Sequence, residues 1–163
     1  MPEVKVCVLD AGPIIHLDQL GVLRLLMELG QVVVTETVAA EAAKHRPALD
    51  IRSQFTVFGD VESIPMRVAF AASRHSLDPG ELTALAWGEV FGADMFVSDD
   101  GKARLAAKEL GYEITGTIGV ILHASQQGTL TKPGAIALLE RIPTESTLHI
   151  STDFLSETVA RLR

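Results

Sequence analysis

Apolar positions along the chain alternate between two spacings. Short, nearly continuous apolar runs at residues 4–9, 31–34, 55–58, 94–98 and 112–115 have the length and bounding turn residues of strands. Between them the spacing relaxes to three and four. Ile14, Leu17, Leu20, Leu23, Leu26 and Met27 mark a helical stripe over residues 14–29 with a break at Gly21. Thr35 is placed to cap a helix running through Val38, Ala39, Ala42 and Ala43 to about His45. Residues 67–74 predict another helix. Asp78-Pro-Gly-Glu81 opens one that reaches about Gly92, and residues 100–110 form one closed by Gly111. Helices at about 118–127, 133–141 and 152–162 complete the pattern. The stretch 46–76 has the weakest periodicity of the chain.

Strands alternating with helices predict an α/β fold. It is a three-layer sandwich in which a mostly parallel sheet of four to five strands is flanked by helices on both faces. No repeat, low-complexity tract or linker divides the sequence, so residues 1–163 are expected to form one domain.

Composition narrows the function classes. Cys7 is the one cysteine and lies inside the first apolar run, which rules out an intramolecular disulfide and predicts a reducing, cytoplasmic setting. The opening Met-Pro-Glu-Val-Lys-Val lacks the basic stretch and apolar core of a signal peptide, and no apolar run approaches a membrane span. A formal net charge of -7 argues against coating nucleic acid through diffuse electrostatics. It is compatible with a local, carboxylate-rich metal centre.

In a parallel sheet, ligands gather at the carboxyl ends of the strands. Asp10 directly follows the first strand, and Asp99 and Asp100 directly follow the strand at 94–98. The helix opened by Asp78 runs antiparallel to the strand it precedes, which puts Glu81 over the same edge. At about 100° per residue, Glu41 falls near Val38, Ala42 and His45, whereas Glu36 is nearly opposite Val38 and faces water. Each acid also has a structural reading. Asp78 and Glu81 form a capping box around Pro79, Asp100 caps the next helix, Asp10 serves a turn before Pro13, and Glu41 decorates a helix surface. Their convergence from four segments is what points to a site. His16, His45, His75, His123 and His149 show no paired spacing or cysteine partner, so oxygen ligation of Mg²⁺ or Mn²⁺ is expected rather than zinc. Phosphate-binding glycine loops and a nucleophile elbow are missing from the sequence.

The segments Val8-Leu-Asp-Ala-Gly-Pro-Ile-Ile15, Glu41, Leu77-Asp-Pro-Gly-Glu-Leu-Thr-Ala-Leu-Ala86, Val97-Ser-Asp-Asp-Gly-Lys-Ala-Arg104 and Thr115-Gly-Thr-Ile-Gly119 together resemble the PIN domain, over a core of about 4–128 followed by a helical extension of about 129–163. The resemblance implies a metal-dependent endoribonuclease fold that hydrolyses RNA phosphodiester bonds. Asp10, Glu41, Glu81 and Asp100 match the family's four acids, Asp99 is the neighbouring alternative to Asp100, and Ser98 is the hydroxyl of the Thr/Ser-x-Asp motif. The family adds two partners to expect beside RNA, a cognate antitoxin and a second copy of the chain. Lys102, Arg104 and Lys44-His45-Arg46 are candidate phosphate contacts, and Thr115 and Thr117 can orient water or substrate. Trp87, among Leu85, Ala86 and Val90, reads as core. Two rivals stay open: a phosphatase of the haloacid dehalogenase type, whose Asp-x-Asp pair would need an acid where Gly12 stands, and a non-catalytic PIN-shaped binding module.

Overall fold

A computed structural model describes residues 3–163, so the first two residues of the expected domain lie outside the described residues. Five strands, β1 (Val6–Leu9), β2 (Gln31–Thr35), β3 (Thr56–Phe58), β4 (Met95–Val97) and β5 (Glu113–Thr115), form one sheet in the order β3-β2-β1-β4-β5. Every pairing is parallel. Helices flank the sheet, giving the three-layer α/β architecture expected from the alternation. The register sets Cys7 between Val32 and Met95, and Leu9 beside Val97. Cys7, Val8 and Leu9 are wholly buried, which explains why β1 reads as a continuous apolar run instead of alternating.

The first helix differs from expectation. It begins at Ala11, not Ile14: α1 spans Ala11–Gln19, and Asp10 is its N-cap rather than part of a free turn. Pro13 is tolerated because the amides of a first turn have no intrahelical partner. The break at Gly21 is real, with φ at 74°, but the chain beyond it forms a 3₁₀ segment, Leu23–Leu29, instead of resuming an α-helix. Thr35 caps α2 (Glu36–His45) as predicted. A four-residue helix, α3 (Ile51–Gln54), was not expected, since one turn is too short to show a period.

The remaining helices are α4 (Met66–His75), α5 (Pro79–Phe91), α6 (Gly101–Glu109), α7 (Thr117–Gln126), α8 (Lys132–Glu145) and α9 (Thr152–Leu162). Helix α8 runs past the expected end at 141 and through Pro143. Helix α2 packs on α1 and α5, α4 on α5 and α6, and α8 on α7 and α9. Trp87 is buried on α5, with its ring 5.1 Å from that of Phe58 and 4.6 Å from that of Phe91, the core role its neighbours implied. Among the described residues no helix is long and apolar enough to cross a membrane.

The topology determines where chemistry can occur. From β1 the chain builds outward through β2 to β3, then crosses to the other side of β1 to add β4 and β5. The strand order therefore reverses between β1 and β4. Helices leaving two such adjacent strands diverge, and the crevice between their carboxyl ends is the usual ligand site of an open parallel sheet. Asp10 follows β1 there, and Ser98, Asp99 and Asp100 follow β4.

Candidate active site

That crevice is an open cleft of about 350 Å³ whose lining includes Asp10, Glu41, Asp78, Glu81, Asp99 and Asp100. Each acid is held by local structure. Asp10 is 5% exposed; its Oδ1 accepts from the Ala11 amide (2.8 Å) and its Oδ2 from the buried hydroxyl of Ser98 (2.8 Å). The same Ser98 hydroxyl accepts from the Asp100 amide (3.1 Å), so one side chain fixes the ends of β1 and β4 to each other. Asp100 caps α6 through Oδ1, which accepts from the Ala103 amide (2.9 Å).

Helix α5 carries the expected capping box. Asp78 Oδ1 accepts from the Glu81 amide (2.8 Å), and Glu81 Oε2 accepts from the Asp78 amide (2.9 Å). Sequence reasoning treated Asp78 only as a cap, yet Asp10, Glu41 and Asp78 each present an oxygen so that the three atoms lie within 4.8 Å of one another. Capping and clustering are compatible because a carboxylate has two oxygens and about four lone-pair sites. Glu81 and Asp100 line the cleft beside this trio. Gly80 leaves room for it: a Cβ there would stand 2.6 Å from Glu41 Oε2.

Asp99 is arranged differently. Its Oδ1 accepts from the Thr117 amide (2.7 Å), and its Oδ2 is engaged by the Thr117 hydroxyl and by His16 Nδ1 (2.7 Å). His16 was not expected at the site; it reaches the cleft one turn after Gly12 on α1, a placement its lone occurrence in the sequence did not reveal. The segment Thr147–His149 also lines the cleft, brought there by the return of the chain between α8 and α9.

The electrostatics separate these groups. Burial pushes Asp10 up to about 7, with Asp78 and Glu41 adding repulsion against the relief from Ser98 and Ala11. Burial likewise pushes Glu81 up to about 8, reinforced by Asp10, Asp78 and Asp100 against the relief of the Asp78 amide. Glu41 is raised by desolvation and by Asp78, against the pull of His45 and Lys44. For Asp99 burial also acts upward, but the donors His16 and Thr117 together outweigh it and hold the carboxyl below its ordinary value. Donors thus outweigh burial at Asp99, whereas at Asp10, Glu81 and Glu41 burial and the neighbouring carboxylates prevail.

The basic residues spread more widely than the sequence suggested. Lys102 is exposed in the first turn of α6, and Lys44 and His45 are exposed at the end of α2 near Glu41. Arg46 is engaged elsewhere, with its Nε 2.6 Å from Asp18 Oδ2. Arg104 donates from Nη1 to the Ser98 carbonyl (3.0 Å) and lines a neighbouring cavity. The Thr115 carbonyl accepts from the Ser98 amide, which ties it to β-pairing.

A family model described as a PIN domain matches residues 6–163. This chain belongs to the PIN-domain family. The match extends through α8 and α9, so both helices fall within the matched PIN region. No curated protein matches the chain. PIN domains are generally nucleases that use divalent metal, and the donor set here fits that chemistry. All of its donors are oxygens, as a hard cation prefers. Opposite ligands of Mg²⁺ stand about 4.2 Å apart, twice the metal–oxygen distance. The trio's 4.8 Å limit lies close to that span, within reach of carboxylate rotation.

Proposed function

We propose that this PIN-domain protein is a metal-dependent endoribonuclease that hydrolyses RNA phosphodiester bonds, and that it acts as the toxin of a toxin–antitoxin pair. The observation that carries the nuclease reading is the Asp10–Glu41–Asp78 trio at the crevice where the strand order reverses. Asp10, Glu41 and Asp78 would hold Mg²⁺ or Mn²⁺, with Asp100 and Glu81 lining the same cleft. A bound cation of this type lowers the pKa of water and offsets charge on the phosphate oxygens.

The chain's own residues perform the remaining tasks. Ser98 aims Asp10 by donating to it, and holds the start of α6 by accepting from the Asp100 amide. Glu81 Oε2 is occupied by the Asp78 amide, which leaves Oε1 to exchange a proton with water in the cleft. Asp99 is a positioning residue: it ties Thr117 at the start of α7 to His16 on α1, and these donors take three of its lone-pair sites. Lys102 and Lys44 supply positive charge to the approaching strand, with His45 exposed beside them.

A cognate antitoxin and a second copy of the chain are the protein partners of this reading, supported by the exposed apolar side chains of Met66, Phe70 and Leu105 on the packed pair α4 and α6. The buried free thiol of Cys7 is in keeping with a cytoplasmic setting, and the continuous packing of α7, α8 and α9 with a single domain. The test is cleavage of a mixed panel of structured and single-stranded RNAs with Mn²⁺, Mg²⁺ or EDTA, comparing wild type with Asp10→Asn. Metal-dependent cutting lost in the variant is the expected result. Metal binding by a folded protein that cuts none of the panel would favour the non-catalytic module.

A further inference from the structure

Beside the acid cleft lies a larger cavity of about 520 Å³, and Asp99, Leu148 and His149 line both spaces. Its walls are mainly apolar: Ile114 from β5, Ile118 and Leu122 from α7, and Ile150 and Phe154 from the segment entering α9. The volume, and the few polar groups in a mostly apolar lining, are those of a small-molecule site. Phe154 lines the cavity although it is 52% exposed, so its ring is available to a ligand. Arg104 is anchored by its bond to the Ser98 carbonyl, which makes it a fixed cation in the wall of this cavity.

The protein's overall charge makes this cavity informative. A chain of net charge -7 with a carboxylate cleft has only a few cations near that cleft, such as Lys102 and Lys44, to draw a nucleic acid by charge. Stacking a base on an aromatic ring beside the reacting phosphate adds affinity that does not depend on basic surface. A nucleobase has apolar faces for Phe154 and the isoleucines, and a polar edge for Arg104, His149 and Ser151.

We propose that this cavity is a base-binding subsite that takes one unpaired nucleobase of the RNA next to the phosphate in the acid cleft. The placement of that phosphate rests on the nuclease reading. A base seated here has left any helical stack, so the substrate is single-stranded or looped at the cut.

The test uses the full chain without divalent metal. AMP, GMP, CMP and UMP are titrated while methyl resonances of isoleucine and leucine are followed by NMR, for wild type, Phe154→Ala and Phe154→Trp. The expected result is saturable shifts at Ile114, Ile118, Leu122 and Ile150, weakened about five- to 150-fold in Phe154→Ala, the range that loss of one aromatic–base stack produces. Binding retained in Phe154→Trp would show that the ring face is what matters. The exposed position of Phe154 keeps both variants folded, checked by thermal melting. Shifts confined to the acid cleft, or a response unchanged in Phe154→Ala, would overturn the subsite and leave the groove to a protein partner. The two proposals fail separately: nucleotide binding in the cavity without RNA cleavage by the metal-loaded protein sinks only the nuclease reading, and cleavage without nucleotide in the cavity sinks only the subsite.

Discussion

Replacing Asp10 by asparagine should stabilise the metal-free protein at alkaline pH and destabilise it at acid pH. Burial raises the carboxyl from near 3.8 to about 7, so the folded state keeps this proton after the unfolded state has released it. Stability from this group is therefore fully present below about pH 4, falls as pH rises toward 7, and is flat above. The gap of about three pH units amounts to about 4 kcal/mol, at about 1.36 kcal/mol for each. Asparagine avoids that penalty but cannot accept from both the Ala11 amide and the Ser98 hydroxyl, a loss of about 1 kcal/mol. The net expectation in EDTA is a gain of about 3 kcal/mol at pH 8.5 and a loss of about 1 kcal/mol near pH 4. Urea unfolding at the two pH values measures both. Saturating Mn²⁺ should cancel the alkaline advantage, because the cation stabilises only a protein that binds it. If Asp10→Asn is destabilising by the same amount at both pH values, Asp10 is not an uncompensated buried charge, and the argument for a cation in the cleft loses its electrostatic basis.

The neighbouring groups give further tests. Gly80→Ala removes a helix glycine, worth about 0.5–1 kcal/mol, but sets a Cβ 2.6 Å from Glu41 Oε2; Glu41 must swing aside, so thermal stability should hold while Mn²⁺ affinity by calorimetry falls. Ser98→Ala leaves Asp10 Oδ2 and the Asp100 amide without their common partner and should lower stability by about 1–3 kcal/mol in urea unfolding, with a loss of cleavage beyond what reduced folding explains. Asp99 behaves oppositely to Asp10: its lowered carboxyl contributes stability above its ordinary titration range that is lost as pH falls through the folded value. The thermal midpoint of Thr117→Val should accordingly approach that of wild type as the pH falls well below the ordinary aspartate range and lie clearly under it at pH 7.

The fold was legible because the sheet is buried in its middle. Strands β1 and β2 are covered on both faces and appear as uninterrupted apolar runs, while the helices between them repeat at three and four. Legibility failed where a local signal was short or served two readings. The one-turn helix α3 has no period to detect, and Asp10-Ala-Gly-Pro13 contains turn residues although Asp10 in fact starts a helix. The strand order is not encoded in any local pattern. It depends on which side of β1 the chain chooses for β4, and only that choice makes a crevice of the edge carrying Asp10 and Ser98.

The acid cluster shows how far such reading extends. Weighing caps against ligands treated them as rival explanations, but a carboxylate that caps a helix commits one oxygen and keeps the other. Asp78 and Asp100 are both N-caps whose helices begin at the cleft, so the bond that caps each helix also holds its carboxylate at the cleft wall. Asp99 has less to spare, since Thr117 and His16 take three of its roughly four lone-pair sites, two of them on Oδ2. The distinction between adjacent Asp99 and Asp100 thus follows from counting lone pairs already used by the protein. Those partners come from α1 and α7, many residues away in sequence, and no inspection of Ser98-Asp-Asp100 alone could have supplied them.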